Sequence, residues 1–171
     1  MLARKKYSEA DRILAIYSKD YGRITLLAKG VRKPTSRKRG HIEVFNHIKF
    51  QATSGKSLGL ITEAEIIDAY VEIRKKLKKV ALAYYFMEVI GKTTREHEKN
   101  EELYDLLLKY LSLLREQSAL KKLRAEFVYE VLTTLGFWPK GKRLLDIDGK
   151  LEEVTERKMN TERVGKRMLM G

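Results

Sequence analysis

The hydrophobic pattern of the chain changes its period near residue 73, and this change constrains the fold more than any other feature. Before that point apolar and polar residues alternate, as in GRITLLAKG, where Ile24, Leu26 and Ala28 occupy alternate positions. After it, apolar residues recur every three or four positions, as in NEELYDLLLKYLSLLREQ. Alternation is typical of half-buried strands and the longer period of amphipathic helices. The chain is therefore predicted to be an α+β protein with its strands first.

Five strands are predicted within residues 1–72. They are LARKKY, DRILAIYS, GRITLLAKG, HIEVFNHIKFQ and LGLITEAEIID. In the fourth, Ile42, Val44, Ile48 and Phe50 are expected on one face of a continuous strand. Five strands in so short a segment indicate a small barrel, and the five-stranded barrel that commonly binds oligonucleotides is the OB-fold. Residues 1–72 are therefore predicted to form an OB-fold barrel.

Three amphipathic helices are predicted to form a helical domain over residues 73–140. Asn100 is expected to cap the second helix, and the third is expected to begin at Ser118 and to stop at Gly136. Residues 141–171 are predicted to form a short hairpin that turns at Asp148-Gly149, followed by a charged tail. The first helix is expected to bury one stripe of apolar residues: Leu77, Val80, Ala81, Tyr84, Met87 and Ile90.

The segment KGVRKPTSRKRG, residues 29–40, carries unbalanced positive charge. The chain has 171 residues and a formal charge of +13. The first 40 residues contain 12 basic and three acidic side chains, so most of the excess lies there. Because exposed loops usually mix both signs, the segment predicts an acidic partner, the alternative being a loop that its charges only keep soluble. Its six basic residues are Lys29, Arg32, Lys33, Arg37, Lys38 and Arg39.

An OB-fold with such a loop is expected to bind the phosphates of a nucleic acid and to stack bases on aromatic rings. Core packing is the usual role of an aromatic residue, so Tyr7 and Tyr21, at predicted strand ends, are preferred candidates for stacking. Arg12 and Arg23 are expected to add cation–π contacts. DNA and RNA remain alternatives, because both offer phosphates and bases. The aromatic residues available in this region are Tyr7, Tyr17, Tyr21, Phe45 and Phe50.

Composition and motifs exclude several kinds of site. The chain has no cysteine, so it forms neither disulfides nor thiolate zinc sites. Its histidines, His41, His47 and His97, lack the spacing of metal ligands. No P-loop, HExxH or GxSxG motif is present, so no enzymatic activity, metal or cofactor is expected. No apolar run approaches the roughly 20 residues of a membrane span, and we expect no membrane contact and a cytoplasmic location.

The helical region has more aromatic residues than three helices require, which suggests a groove for a partner peptide. The candidate partner-binding residues are Lys121, Arg124 and Phe127. A hydrophobic core is the alternative explanation of the aromatic residues. If the helical domain binds a partner peptide and the basic loop does not bind nucleic acid, the chain is an adaptor whose helices recruit partners and whose basic loop aids solubility.

A series of motifs follows in a fixed order from residue 3 to residue 140. YSEADRILAIYSKDYGRITLLAKGVRKPTSRKRG opens with Tyr-x-Glu-x-Asp-Arg and continues through a Gly-Arg strand, an Ala-Lys-Gly element and the basic segment. LGLITEAEIIDAY, LAYYFMEVIGKTT and FVYEVLTTLGFWP follow. In this order the motifs resemble the RecO family of bacterial recombination mediators.

The resemblance implies a non-enzymatic DNA repair and recombination mediator with an N-terminal OB-fold and a helical domain. Such a protein binds single- and double-stranded DNA, anneals complementary strands, and with RecR helps load recombinase on strands coated by single-strand-binding protein. It also implies a bacterial, nucleoid-associated location, and a site for the tail of single-strand-binding protein on the helices. Two departures stand out: Ala125 and Glu126 replace an Arg-rich helix start, and the family's four-cysteine zinc module is absent after Pro139.

Overall fold

The computed structural model describes residues 1–54 and 58–156. They form two compact units, the first from residues 1–70 together with 95–99, the second from residues 71–94 and from residue 100 onward. The first unit is built on a sheet and the second on helices, so the predicted α+β class is confirmed. None of the described helices is long and apolar enough to cross a membrane.

The first unit contains one five-stranded sheet, and the five predicted strands are confirmed. Neighbouring strands run antiparallel except β3 and β5, which are parallel. The order across the sheet is β1-β2-β3-β5-β4. The strands are β1 Ala3–Lys6, β2 Arg12–Ser18, β3 Gly22–Ala28, β4 His47–Thr53 and β5 Gly59–Asp68.

Strict alternation produces the core of this unit. In β3 every second residue is buried, beginning with Gly22 and ending with Ala28. Leu14 and Ile16 of β2 lie opposite Leu26 and Ile24, so apolar side chains of both strands share one face. Loop residues complete the cluster, whose buried members are Met1, Leu14, Ile16, Ile24, Leu26, Ala28, Val31, Ile42 and Ile61.

The fourth strand begins later than predicted. It starts at His47, and the buried Ile42 and Val44 belong to the irregular segment that precedes it. Phe45 has a φ of 55°, a left-handed conformation that a continuous strand does not contain. Its side chain is nevertheless 1% exposed. The turns bring both Val44 and Phe45 to the core, although in a strand these neighbours would point to opposite faces.

Residues 95–99 cover the first half of β3. Glu96 forms a parallel bridge with Arg23, and the N–H of His97 donates to the carbonyl of Arg23 at 2.8 Å. Gly22 allows this close approach, since a Cβ there would lie 2.1 Å from the carbonyl oxygen of Glu98. Because β5 pairs only with the end of β3, this segment supplies the neighbour that the start of β3 otherwise lacks.

The second unit is helical. Asn100 caps α3 as predicted, its side chain accepting from the N–H of Leu103 at 2.9 Å. Gly136, at a φ of 76°, follows the end of α4, which also agrees with the prediction. The helices are α1 Val71–Arg74, α2 Leu77–Thr93, α3 Glu101–Glu116, α4 Leu120–Thr134 and α5 Ile147–Thr155.

Helix α2 buries a different face from the predicted one. Met87 and Ile90 are buried as expected, but Leu77 is 67% exposed and Tyr84 38%. Phe86, outside the predicted stripe, is fully buried instead. Apolar residues surround most of α2, so its periodicity could not select a face; packing against α3 and α4 selects it.

The predicted hairpin at Asp148-Gly149 is wrong, because these residues lie in α5. The side chain of Asp146 caps this helix by accepting from the N–H of Gly149 at 2.8 Å. Leu151, 1% exposed, is its buried contact with the unit. An aspartate three residues before a glycine suits both a turn and a helix start, and the burial of Leu151 favours the helix. The predicted charged tail from 157 onward lies outside the described residues.

Candidate nucleic-acid interface

Residues 29–40, here called the basic loop, form a succession of tight turns. The N–H groups of Lys33, Ser36 and Arg39 each donate to the carbonyl three residues earlier, at 3.1, 3.0 and 3.3 Å. Pro34, with its restricted φ, stiffens the middle of the loop. The cations are therefore carried on a folded scaffold of backbone hydrogen bonds.

The start of the basic loop is attached to the connection between β1 and β2. Gly30 donates its N–H to Oδ1 of Asp11 at 2.8 Å. This hydrogen bond is the main reason that the pKa of Asp11 lies below its ordinary value. Arg32 adds two bonds, from its N–H to the carbonyl of Ala10 at 2.9 Å and from Nη1 to the carbonyl of Ser8 at 3.0 Å. Arg32 therefore positions the loop as well as carrying charge.

The end of the basic loop is attached to β5. Nζ of Lys38 donates to the carbonyl of Ile61 at 3.1 Å. Val31 inside the loop and Ile42 just after it are both fully buried, so the core holds the loop at both ends. By contrast, Lys29, Lys33, Arg37 and Arg39 are exposed. The six predicted cations thus divide into two that anchor the loop and four that face solvent.

A groove of about 610 Å³ lies between the basic loop and the β4–β5 hairpin. Phe50 of β4 is half-buried in its lining, where it pairs in register with Ala64 of β5. An aromatic ring beside several cations is the combination that binds a single nucleic-acid strand, by stacking bases and neutralising phosphates. The charged residues of the lining are Lys33, Arg37, Lys38, Lys49, Glu63 and Glu65.

Lys49 and Phe50 were not among the preferred candidates from sequence. Tyr7 and Tyr21, which were, are 61% and 65% exposed but do not line this groove. The signal for Lys49 and Phe50 was their place in the first strand after the basic loop. The sequence alone did not show that β4 lies beside the basic loop. The remaining two aromatic candidates belong to the core: Tyr17 is 5% and Phe45 1% exposed.

The predicted nucleic-acid residues lie at two ends of the sheet. Tyr21 and Arg23 lie at the beginning of β3, and Lys29 follows its end. A strand of this length spans roughly 20 Å. Tyr7 is on the side of the basic loop, since its N–H donates to the carbonyl of Asp11 at 3.2 Å. Only a ligand that followed the whole sheet would touch both groups, and their role in binding stays a prediction.

Arg124 and Lys121, two predicted partner-binding residues, differ in their surroundings. Lys121 is exposed. The guanidinium of Arg124 instead donates to the carboxylate of Asp148 and, at 3.1 Å, to the hydroxyl of Tyr85. It also lies 4.6 Å from the centre of the Tyr85 ring. Arg124 therefore joins α4 to α2 and α5, and this use competes with binding a partner.

Phe127, the third predicted partner-binding residue, is a core residue. It is fully buried, with its ring centre 4.1 Å from that of Phe86 and 5.2 Å from that of Tyr110. The three rings occupy the centre of the unit, one from each of α2, α3 and α4. The sequence assignment is corrected here, because a ring packed on two others is not available to a partner unless the helices separate.

The three histidines lie apart. His41 lines the groove, His47 begins β4, and His97 belongs to the segment over β3. Burial, followed by the positive charge of the Met1 amine, lowers the pKa of His47. Across residues 1–54 and 58–156 no group of three or more histidine or acidic side chains is arranged to hold a metal ion.

Both units match models of known protein families. Residues 1–70 match the family model described as "Recombination protein O N terminal", and residues 74–143 match "Recombination protein O C terminal". The chain belongs to the RecO family. The N-terminal domain of RecO is an OB-fold, so the predicted fold of the first unit is confirmed together with the resemblance in sequence. The 171 residues contain no cysteine and so hold no four-cysteine zinc module.

Curated relatives of this RecO chain are named DNA repair proteins. DNA repair protein RecO of Pelotomaculum thermopropionicum is 36% identical over 151 residues, covering 88% of this chain and 59% of that protein. RecO of Roseiflexus sp. is 29% identical over 157 residues, covering 92% and 55%. RecO of Moorella thermoacetica is 32% identical over 140 residues, covering 82% and 52%. The chain thus spans a little more than half the length of these relatives.

Proposed function

We propose that this RecO-family protein binds single- and double-stranded DNA and anneals complementary strands. The observation that carries the proposal is the groove of about 610 Å³ that joins the cations of the basic loop to Lys49 and Phe50. Membership of a DNA repair family supports DNA over RNA as the ligand. Lys33, Arg37 and Lys49 would contact phosphates, while Phe50 would stack on an unpaired base.

Annealing follows from charge. Two complementary strands repel each other because every nucleotide carries a phosphate, and Lys and Arg side chains bound to those phosphates remove part of the repulsion. Phosphate contacts carry no sequence information, so any complementary pair is accepted. A duplex offers the same phosphates but no unstacked base. Binding of double-stranded DNA is therefore expected to depend on the cations and little on Phe50.

We also propose that the protein acts without a catalytic step and helps load recombinase on strands coated by single-strand-binding protein. Family membership supports this role and the proposed partner RecR. The tail of single-strand-binding protein is a further proposed partner, for which the exposed Lys121 remains a candidate contact. Binding to chromosomal DNA would place the protein at the bacterial nucleoid.

The test is fluorescence-anisotropy binding of a labelled single strand over a salt series. A variant with Ala at Lys33, Arg37 and Lys49 removes groove cations but keeps Arg32 and Lys38, which anchor the loop. If three phosphate contacts are lost, the slope of log K against log salt becomes less negative by about 2. The control carries Ala at three exposed lysines outside the groove, Lys19, Lys75 and Lys140. Because both variants lose three charges, equal slopes would contradict a specific site.

Substitution of Phe50 distinguishes the contribution of base stacking to binding from that of charge. Phe50→Ala is expected to weaken single-strand binding by about 1–3 kcal/mol and to leave the salt slope unchanged. Tyr21→Ala, which removes a ring far from the groove, is the matched control. Weakened binding in the tyrosine variant alone would move the site to the other end of β3. RNA of the same sequence, used as competitor, tests the alternative polymer: tighter RNA binding would contradict the choice of DNA.

A further inference from the structure

Arg12 places a guanidinium at the end of the core-facing row of β2. It precedes the buried Leu14 by two positions and lies opposite the buried Ala28 of β3. Alternate residues of a strand share a face, so Arg12 belongs to the core side of the sheet. Its Nη1 is buried and donates no hydrogen bond to any residue that the structure describes. A buried donor without an acceptor is costly, and such a group in a native fold points to a missing partner.

Other guanidinium groups lie near Arg12; Arg4 of β1 is opposite Leu14 of β2, so it shares the face of the sheet to which Arg12 belongs. After burial, the positive charges of neighbouring arginines are what lowers the pKa of Arg12, and the carboxylate of Glu43 opposes them. Glu43 is paired with Arg4. The carboxylate of Asp11, next in the chain, is turned to the N–H of Gly30. Positive charge therefore exceeds negative charge here. We call this group the arginine cluster; its members are Arg4, Arg12, Arg32 and Arg39.

The arginine cluster is separate from the groove. None of its members, nor Glu43, is among the described residues that line the groove. Arg32 and Arg39 nevertheless belong to the basic loop, so the loop connects the two positive regions. A guanidinium donates two parallel hydrogen bonds to phosphate oxygens. Because a phosphate is tetrahedral and has several acceptor oxygens, it can accept hydrogen bonds from several arginines at once.

We propose that the arginine cluster binds one phosphate group and that Glu43 is the internal counter-ion which this phosphate displaces from Arg4. The phosphate supplies the acceptor that Arg12 lacks and offsets the repulsion between the arginines. The proposal rests on the proposed function, since the phosphate would come from the DNA backbone, and it adds a phosphate contact outside the groove. Free inorganic phosphate has the same chemistry and serves as a separate probe.

Inorganic phosphate tests the site without DNA. Arginine Nε–Hε resonances of the full chain are followed by NMR as phosphate replaces chloride at constant ionic strength. Signals of Arg12 and Arg32 are expected to shift saturably, and the signal of Arg143, an exposed residue of the helical unit, only slightly. Glu43→Gln is expected to bind phosphate about fivefold tighter, because one negative charge a few ångströms away has been removed. Arg12→Gln is expected to abolish saturation at Arg32.

Three results of these experiments would contradict the proposed phosphate site. Small linear shifts of all arginine signals would mean an adventitious ion only and would overturn the proposal. Unchanged or weaker phosphate binding by Glu43→Gln would overturn the role of Glu43. If circular dichroism shows that Arg12→Gln fails to fold, Arg39→Gln takes its place, because it alters an exposed side chain. Arg39→Gln is expected to weaken phosphate binding. Unaltered phosphate binding by this variant would count against the cluster.

A single-strand DNA titration distinguishes this proposal from the proposed function. Arg39→Gln is expected to make the salt slope less negative by about 0.7, the value of one phosphate contact. An unchanged slope in this variant, with a reduced slope in the groove variant, would overturn the second site and leave the proposed function intact. Saturable phosphate binding without DNA binding would support the site and overturn the proposed function.

Discussion

The cations of the two units differ in what surrounds them. In the helical unit, five of them are paired with carboxylates along and between helices. In the basic loop, by contrast, no ion pair joins a side chain to a carboxylate within residues 1–54 and 58–156. The helical pairs are Lys92 with Glu88, Lys109 with Glu130, Lys122 with Glu126, Arg124 with Asp148 and Lys150 with Glu153.

This difference predicts that a surplus of lysine and arginine forms a binding surface where counter-ions are missing. A carboxylate within hydrogen-bonding distance cancels most of the field of a cation beyond the pair, whereas unpaired neighbours add their fields together. The sheet unit therefore presents charge, while the helical unit is held by an aromatic core.

The largest expected effect is in the aromatic core of the helical unit. Phe127→Ala should lower the free energy of unfolding by about 3–5 kcal/mol, because the fully buried ring leaves a cavity beside Phe86 and Tyr110. Urea unfolding measures the loss. Phe137→Ala, which truncates a ring that is 43% exposed, is the control and should cost much less. If folded Phe127→Ala protein also bound DNA more weakly, the helical unit would belong to the binding surface and the comparison would fail.

A glycine in the sheet unit should give the next largest effect. Gly22→Ala is expected to cost about 1–3 kcal/mol, because its φ of 64° disfavours a side chain and the new Cβ would meet the carbonyl of Glu98. Gly40→Ala, within the basic loop, places its Cβ in open space and should change stability little. Thermal unfolding compares them, and equal midpoints would mean that residues 95–99 do not lie against β3.

A smaller effect concerns the attachment of the basic loop through Asp11. The pKa of Asp11 is lowered in the folded protein, so its charged form stabilises the fold above the ordinary pKa of 3.8 and this contribution is lost as pH falls through and below that value. Asp11→Asn removes the charge but keeps an acceptor for Gly30. Its stability, from urea unfolding at several pH values, should lie below wild type at pH 7 and approach it in acid. A pH-independent difference would show that charge is not involved.

The smallest effect should come from an exposed pair in the helical unit. Lys122 and Glu126 are 3.8 Å apart and largely exposed, so Lys122→Ala should change the free energy of unfolding by less than about 0.5 kcal/mol. DNA affinity should hardly change in the double variant Lys122→Ala/Glu126→Ala, since the pair carries no net charge. Anisotropy and urea unfolding test both statements. A loss of DNA affinity as large as that of a groove lysine would show that pairing does not decide which cations bind.

Local patterns predicted most of the elements. Alternation located β2 and β3, and the cap at Asn100 located α3, because these signals act between residues a few positions apart. The errors occurred where a local signal had two meanings. Asp146 and Gly149 suit a turn or a helix cap, and packing of Leu151 decided between them.

The candidate site was predictable in part. The charge of the basic loop and its place between strands were visible from the sequence, and the structure adds Lys49 and Phe50 as neighbours in one groove. Those neighbours depend on pairing between β4 and β5 and on the path of the loop, neither of which is encoded in adjacent residues. The wrong assignment of Phe127 to partner binding has the same cause, because its burial depends on the packing of three helices.

The sequence by itself determined the order of strands and helices, the family and the excess of positive charge, because periodicity, capping and composition are properties of short segments. Only the tertiary structure decided which cations anchor the basic loop, which face the groove and which surround Arg12. The physical reason is that hydrogen bonding, burial and electrostatic fields depend on distances in space, and folding brings together residues as far apart in the chain as Arg4 and Glu43.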